Sequence, residues 1–514
     1  MGLSFGVFVA FVGVLLLAGV LVNKLSSRFN MPILLLFLAV GMMVGGHGLG
    51  LVELDPEKHA APINSLGTIA MCFILFSGGL GTCFRTIRPV LTSGIVLATC
   101  GVFLTALFLG VCGYLIFKGF GSNTLWTWWM LMAALLSSTD AAAMFAILRG
   151  NGVNLSGKLQ PLLELESGSN DPMAALLTLV MLQMVTSADG FSFWQIPLLF
   201  YKILGGAAMG LIMGCAGKWF FSRRFEYEGL YYVLGVAMVL ICFGIAELLQ
   251  TNGFLAVYVC GVAMGNMKYN FRGGLEKFNE GIAWLMQVIL FTTLGVLVDP
   301  MELLGLKVLI PGILLSLCMM FIARPGAVFI SLAKSSFSVR EKILVSWAGL
   351  RGAAPIVLAT FPLVSGVENS KSMFNLVFFI VIGSVLVQGM TLMPLARRLN
   401  LARAFSPKSR VPVEMETVEG VNYDLHEFEV GKESLLVGKT LAEAKLPPGA
   451  LVTMIRRGKG FIPACGSTRI EEGDDLVIMG APDKLYAVSQ LYFPDCAYQE
   501  RQELPHFFNK PIFK

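Results

Sequence analysis

An all-α polytopic membrane protein, carrying a small α/β domain at its C-terminal end, is the fold class that the 514-residue sequence predicts. Three observations carry this expectation. Hydrophobic residues make up 56% of the chain and charged residues 14%, and the mean hydropathy is +0.74, too apolar for a soluble chain of this length. Apolar runs of bilayer-crossing length follow one another to about residue 400. From about Arg403 the sequence turns polar and proline-punctuated, then alternates in short strands with charged turns.

At about 20 apolar residues per crossing, thirteen candidate spans fall near 4 to 23, 32 to 49, 64 to 83, 89 to 116, 125 to 148, 160 to 186, 195 to 221, 229 to 249, 252 to 267, 278 to 298, 303 to 333, 341 to 362 and 374 to 396. The first has no basic residues before it and no small-residue cleavage site after it, so a true span is expected there rather than a signal peptide. Loops after odd-numbered spans hold Lys24, Arg28, Arg85, Arg88, Arg149, Lys158, Lys218, Arg223, Arg224, Lys268, Arg272, Lys277, Lys334, Arg340 and Lys342, whereas the alternate loops hold little beyond Lys58, Lys118, Lys307 and Lys371. Basic loops stay in the cytoplasm, which puts the N-terminus outside and the C-terminus inside, in agreement with an odd number of spans. The expected domains are residues 1–402 in the membrane, with core helices near 89–186 and 303–396, a linker at 403–421, a cytoplasmic domain at 422–492 and a tail at 493–514.

The ten cysteines form no CxxC pair, and His47, His59, His426 and His506 form no cluster, so neither a disulfide framework nor a bound metal or other cofactor is expected. Loop topology accounts for the net charge of +5, and the expected partner is membrane lipid rather than nucleic acid.

The chain is organised around Leu163 to Ala175, LELESGSNDPMAA, which puts two acids, an amide and a proline into a spanning run. Charges at bilayer depth cost several kcal/mol, so Glu166 and Asp171 are expected to face the protein interior and at least one to be functional. Ser167, Asn170 and Asp171 share a helix face at i, i+3 and i+4. Pro172 lacks an N–H and leaves the Gly168 carbonyl without its helical donor. A carboxylate, an amide oxygen, a hydroxyl and a loose carbonyl together suit a hard cation, with one member able to take a proton.

Two further spans are interrupted. Ser137, Ser138, Thr139 and Asp140 break the fifth, where Asp140 can cap a second half-helix from Ala141. Gly349, Leu350, Arg351, Gly352, Ala353, Ala354 and Pro355 break the twelfth. One broken span in each half of the chain points to a secondary transporter with inverted repeats and a midplane site. Arg324 and Arg351 also lie inside spans, and either could neutralise Glu166. At 1.5 Å per residue Glu166 lies roughly 10 Å from the inner end of its span, Arg324 roughly 13 Å and Arg351 roughly 16 Å, which favours Arg324 and leaves Arg351 near Asp171. Glu247 and Asp299 read as ordinary residues of span ends, and Gly205, Gly206, Ala207, Ala208 and Gly210 as a close-packing stripe.

The strings Ser138 to Ala143, Glu164 to Pro172 (ELESGSNDP) and Gly349 to Ala353 resemble the monovalent cation/proton antiporter-1 family, most closely its NhaP-type potassium/proton branch, over nearly all of the first 400 residues. The resemblance implies that Asn170 and Asp171 carry the proton and monovalent cation site, that Thr139 and Asp140 complete it, and that a Glu–Arg pair braces the core. It further implies a homodimer in a bacterial inner membrane, a role in pH homeostasis, and a six-helix core that moves like an elevator against a fixed dimerisation domain. Leu435 to Leu441, Ile455 to Arg457, Pro463 and Glu472 to Leu476 resemble the C-terminal subdomain of the regulators of potassium conductance, implying regulation by a bound nucleotide and inclining the substrate toward potassium. The branch usually continues into another soluble domain, whereas this chain stops at Lys514: either it is truncated or this member lacks that part.

The expected activity is exchange of potassium or sodium for a proton, with a desolvated Asp171 holding one or the other but never both. Asp140 is occupied by helix dipoles and Glu166 by an arginine, so Asp171 alone is left to cycle, and one proton per cation makes transport electroneutral. Rival readings are a proton-coupled solute symporter, a ligand-gated potassium channel, which lacks any TVGYG-like filter here, and an intramembrane hydrolase using Asp140 and Asp171, which lacks a GxGD setting.

Overall fold

The computed structural model describes residues 13–14, 16–17, 33–46, 48, 50, 52, 54, 59–121, 124–150, 153–155, 157–187, 195–223, 225–267, 269, 271–404, 424–431, 434–458 and 460–493. The span expected near 4 to 23 lies outside them but for four positions, as do most of the linker and all of the tail after Phe493. The described residues form two compact units, a mainly helical one reaching to Ala404 and a second from Asp424 to Phe493.

The helical unit runs through α1 (Ile33–Val44), α2 (Ala60–Gly81), α3 (Phe84–Gly119), α4 (Trp126–Leu135), α5 (Ala141–Gly150), α6 (Leu159–Thr186), α7 (Gln195–Phe221), α8 (Gly229–Leu248), α9 (Gly253–Gly265), α10 (Arg272–Val296), α11 (Leu306–Ser331), α12 (Val339–Trp347), α13 (Ala353–Leu358) and α14 (Ser370–Arg398). Among the described residues seven of these, α2, α3, α7, α8, α10, α11 and α14, are long and apolar enough to cross a membrane. The 28-residue α6 is not among them, because its middle carries the acids and amide of the ELESGSNDP string. Helix α6 continues through Pro172 without a break. Gly168 has a steric role there: a Cβ on it would lie 2.5 Å from the ring of Tyr258 on α9.

Local chemistry sets several helix ends. Asn252 caps α9 by accepting from the Leu255 N–H, and its amide donates to the Pro172 carbonyl at 2.9 Å, tying α9 to α6. Ser338 and Glu341 form a reciprocal capping box on α12. Asp299 caps the short helix Pro300–Leu304. Helices α3 and α11 each widen into a π-helical turn, at Leu97–Gly101 and Met319–Ala323, the second ending directly before Arg324. Helix α7 lies so close to α9 that a Cβ on Gly210 would meet the Ala256 carbonyl at 2.4 Å, and one on Gly206 the Asn252 carbonyl at 2.6 Å. Residues 403 and 404, expected at the start of the linker, instead belong to strand β2 (Ala402–Ala404), because their backbone pairs antiparallel with β1 (Val153–Leu155).

In the second unit β3 (Asp424–Glu429), β4 (Ala450–Arg457), β5 (Gly460–Pro463) and β6 (Asp474–Gly480) form an antiparallel sheet in the order β3-β6-β4-β5. Helix α15 (Pro482–Tyr492) lies against it, and Phe428, Leu436, Ile455, Leu476, Ile478, Leu485 and Val488 are buried in their common core. Gly438 and Gly473 take φ of +83° and +82°, where a side chain would be strained. Arg457 grips Asp474 with two nitrogens, at 2.8 and 2.9 Å.

Replacing Gly210 by Leu should force α7 from α9 and cost about 1–3 kcal/mol, read as a lower unfolding temperature in detergent; an unchanged temperature would contradict this packing. In the second unit the Thr440 N–H and hydroxyl hold the exposed Glu443 carboxyl below its ordinary range. That contribution is present above about pH 4.3 and is lost as the pH falls through the lower folded value. Wild type should therefore outlast Glu443→Gln in thermal unfolding near neutral pH, and the gap should close in acid.

Candidate functional site

The centre of the helical unit is built where helices stop. Helix α4 ends at Leu135 and α5 begins at Ala141, leaving Ser137 to Asp140 outside both, and α12 ends at Trp347 while α13 begins at Ala353, leaving Gly349 to Gly352 outside both. Each ending releases backbone groups that an apolar surrounding cannot satisfy. The two interruptions satisfy one another: the Asp140 N–H donates to the Leu350 carbonyl at 2.7 Å, and Arg351 Nη1 donates to the carbonyls of Ser137, at 3.0 Å, and Ser138. Asp140 caps α5 by accepting from the Ala143 N–H at 3.0 Å. Gly352 is required there, because a Cβ on it would fall 2.1 Å from Asp140 Oδ2.

Helix α6 docks on this crossing with its polar face. Ser167 Oγ donates to the Thr139 carbonyl at 2.9 Å, and the Asn170 amide to the Thr139 hydroxyl at 2.5 Å. Ser138, Thr139 and Asn170 are buried, and Ser167, Asp140 and Asp171 are partly buried. The groups acting on Asp171 are Asp140, Ser138 and Arg351, so the interrupted segments supply its polar surroundings. Asn170 Oδ1, Asp171 Oδ1 and Ser138 Oγ are buried without a hydrogen-bond partner.

Of the two arginines, Arg324 meets Glu166: its Nη2 donates to Oε1 at 2.5 Å, with both side chains no more than 2% exposed. Arg351, equally buried, spends its hydrogen bonds on carbonyls and makes no ion pair with Glu166. Gly349 admits the Arg324 guanidinium, since a Cβ there would stand 2.7 Å from its Nε. The expected cation-site residues Thr139, Asp140, Ser167, Asn170 and Asp171 are thus neighbours, with Glu166 and Arg324 beside them on α6 and α11. Sequence reasoning missed Ser138 as a neighbour of Asp171, and Ser384 and Gln388 of α14, which bond the second interruption.

A bundle of apolar helices enclosing one oxygen-rich, charge-bearing centre defines a multi-pass membrane protein of ion-handling design. A family model described as the transmembrane part of sodium/hydrogen exchangers matches residues 12–398, and a TrkA-C domain model matches residues 425–492. The chain belongs to the sodium/hydrogen exchanger family and carries a TrkA-C domain. It is 35% identical to the K(+)/H(+) antiporter NhaP2 of Shewanella baltica over 509 residues, 97% of this chain and 84% of the relative. It is also 35% identical to the K(+)/H(+) antiporter NhaP of Alkalimonas amylolytica over 425 residues, 80% of this chain and 71% of that one. Its fold matches the structure of the sodium proton antiporter MjNhaP1 from Methanocaldococcus jannaschii at a TM-score of 0.64 and 22% identity, over 76% of this chain and all of that one.

Arg324→Met should strand Glu166 as an uncompensated buried charge and cost about 3–5 kcal/mol, whereas adding Glu166→Gln should recover most of the loss. Unfolding temperatures of the purified single and double variants check this, and a single variant as stable as wild type would show that the pair does not hold α6 to α11.

Proposed function

We propose that the protein exchanges a monovalent cation for a proton, with Asp171 as the group that carries either. The observation that supports this most is the set of buried oxygens at one carboxylate: Asp171 Oδ1 and Asn170 Oδ1, both without hydrogen-bond partners, beside Ser138, Thr139 and Ser167. A partly dehydrated potassium or sodium ion takes just such carboxylate, amide and hydroxyl oxygens. A proton on Asp171 removes the charge that attracts the cation, so the two compete. Glu166 is engaged by Arg324, and Asp140 caps α5, which leaves Asp171 as the carboxylate that cycles. The two arginines of the centre offset two of its three acids, so the loaded centre carries the same charge with a proton as with a cation. That gives one-for-one, electroneutral exchange. The names of the relatives incline the cation to potassium.

Alternating access on this reading has the interrupted helices and α6 moving together as a core, in an elevator motion against a static dimer-forming part. The segments around Ser137–Asp140 and Gly349–Gly352 would be equivalent positions of two inverted repeats. The second unit would regulate exchange from the cytoplasm through a bound small ligand, a nucleotide being the class its resemblance implies. The N-terminus would lie outside the inner membrane and the second unit inside.

Acid-loaded proteoliposomes given potassium or sodium, with and without valinomycin, test the proposal. Wild type should alkalinise the lumen whatever the membrane potential, with the larger response naming the cation, and Asp171→Asn should be silent. Exchange that survives in Asp171→Asn, or that needs a potential, would overturn the assignment.

A further inference from the structure

Two buried polar side chains on α14, Ser384 and Gln388, sit one helical turn apart and are 0% and 2% exposed. They form a directed chain of hydrogen bonds across the second interruption. The Arg351 N–H donates to Ser384 Oγ at 3.2 Å, the Ser384 hydroxyl donates to Gln388 Oε1 at 2.5 Å, and Gln388 Nε2 donates to the Trp347 carbonyl at 3.2 Å. The chain therefore starts at one lip of the gap and ends at the other, where α12 stops. Each donor and acceptor is used in the only sense that satisfies both lips, since the amide must turn its oxygen to Ser384 and its nitrogen to Trp347.

We infer that Ser384 and Gln388 are positioning residues for cation binding, acting on Asp171 through the backbone of Arg351. Fixing the Arg351 N–H sets where its guanidinium starts, and that guanidinium holds the Ser137 and Ser138 carbonyls. Those residues lead directly into Thr139, whose hydroxyl and carbonyl receive Asn170 and Ser167. Hydrogen bonds, the Arg351 side chain and the peptide bonds into Thr139 and Asp171 thus join α14 to the oxygens around Asp171. Outer partners that orient a ligand set commonly tune affinity by about tenfold or more when removed.

The inference rests on the exchange reading of Asp171, and its test separates the two. Half-saturation by potassium and sodium is measured twice on each protein, by exchange in proteoliposomes and by the rise in unfolding temperature of the whole purified protein with added cation, which needs no transport. Ser384→Ala should need about tenfold more cation in both assays, as should Gln388→Met, the second variant should the first fail to fold. The double variant should be no worse than either single one, because both cut the same chain. Thr391→Val removes another α14 hydrogen bond to α12, from the Trp347 indole to Thr391 Oγ1, and should leave half-saturation unchanged. Unshifted half-saturation in Ser384→Ala, losses that multiply in the double variant, or an equal shift in Thr391→Val would overturn the inference. Cation stabilisation without exchange in wild type would sink the exchange reading alone and leave the positioning role to be read from the unfolding shift. Absence of both in wild type would sink both.

Discussion

The structure depends on how two helices that stop inside an apolar bundle dispose of their free backbone groups. Water satisfies such groups at an ordinary helix end; at membrane depth only protein can do so, and each unsatisfied group costs several kcal/mol. Here the cost is met mutually. Asp140 gives its N–H to Leu350, Arg351 reaches back to the carbonyls of Ser137 and Ser138, and Gly352 stays bare so that Asp140 can approach. Neither interruption would be tolerable without the other, so the crossing is a single unit made from segments more than 200 residues apart in the chain.

Once the crossing exists, α6 has a partner for a face that lipid would reject. The Asn170 amide nitrogen and the Ser167 hydroxyl both donate to Thr139, and the acid one turn earlier, Glu166, is matched by Arg324. The π-helical turn at Met319–Ala323 adds a residue to the helix just ahead of Arg324, and Gly349 leaves room for the guanidinium. Buried ion pairs of this kind contribute little net stability compared with apolar packing, but they are costly to break. Their effect is to fix which helix faces inward and at what depth.

The sequence carried these features unequally. Residues 137 to 140 and 349 to 355 stood out because polar, glycine and proline residues interrupt apolar runs; α4 ends at Leu135 and α5 begins at Ala141, while α12 ends at Trp347 and α13 begins at Ala353, so residues 353 to 355 are helical. Glu166, Arg324 and Arg351 stood out as charges at depth, and counting rise per residue was enough to rank Arg324 over Arg351 as the partner of Glu166. Other features had no such mark. Ser384 and Gln388 look like tolerated polar residues in a long apolar helix, since nothing local tells that their turn faces a gap. Pro172 marked the Gly168 carbonyl as lacking its helical donor, but not that α6 stays helical through the proline or that Gly168 makes room for the Tyr258 ring. Ser138 was visible in a polar run and in the Ser138 to Ala143 string, with nothing to tie it to Asp171. Strands β1 and β2 escaped because three-residue pairings between distant segments leave no periodic trace.

The balance of charge around Asp171 bears on leakage. Two arginines against three acids leave the centre one negative charge in excess when it holds neither proton nor cation. Carrying a bare charge through the membrane field costs or releases about 2.3 kcal/mol per 100 mV, and removing it from water costs several kcal/mol more. A loaded centre avoids both terms. On the exchange reading, the acid that binds the cargo also penalises the empty return, so the coupling between the two ions is enforced by the solvent and the field, with no separate latch required to hold an empty carrier in place.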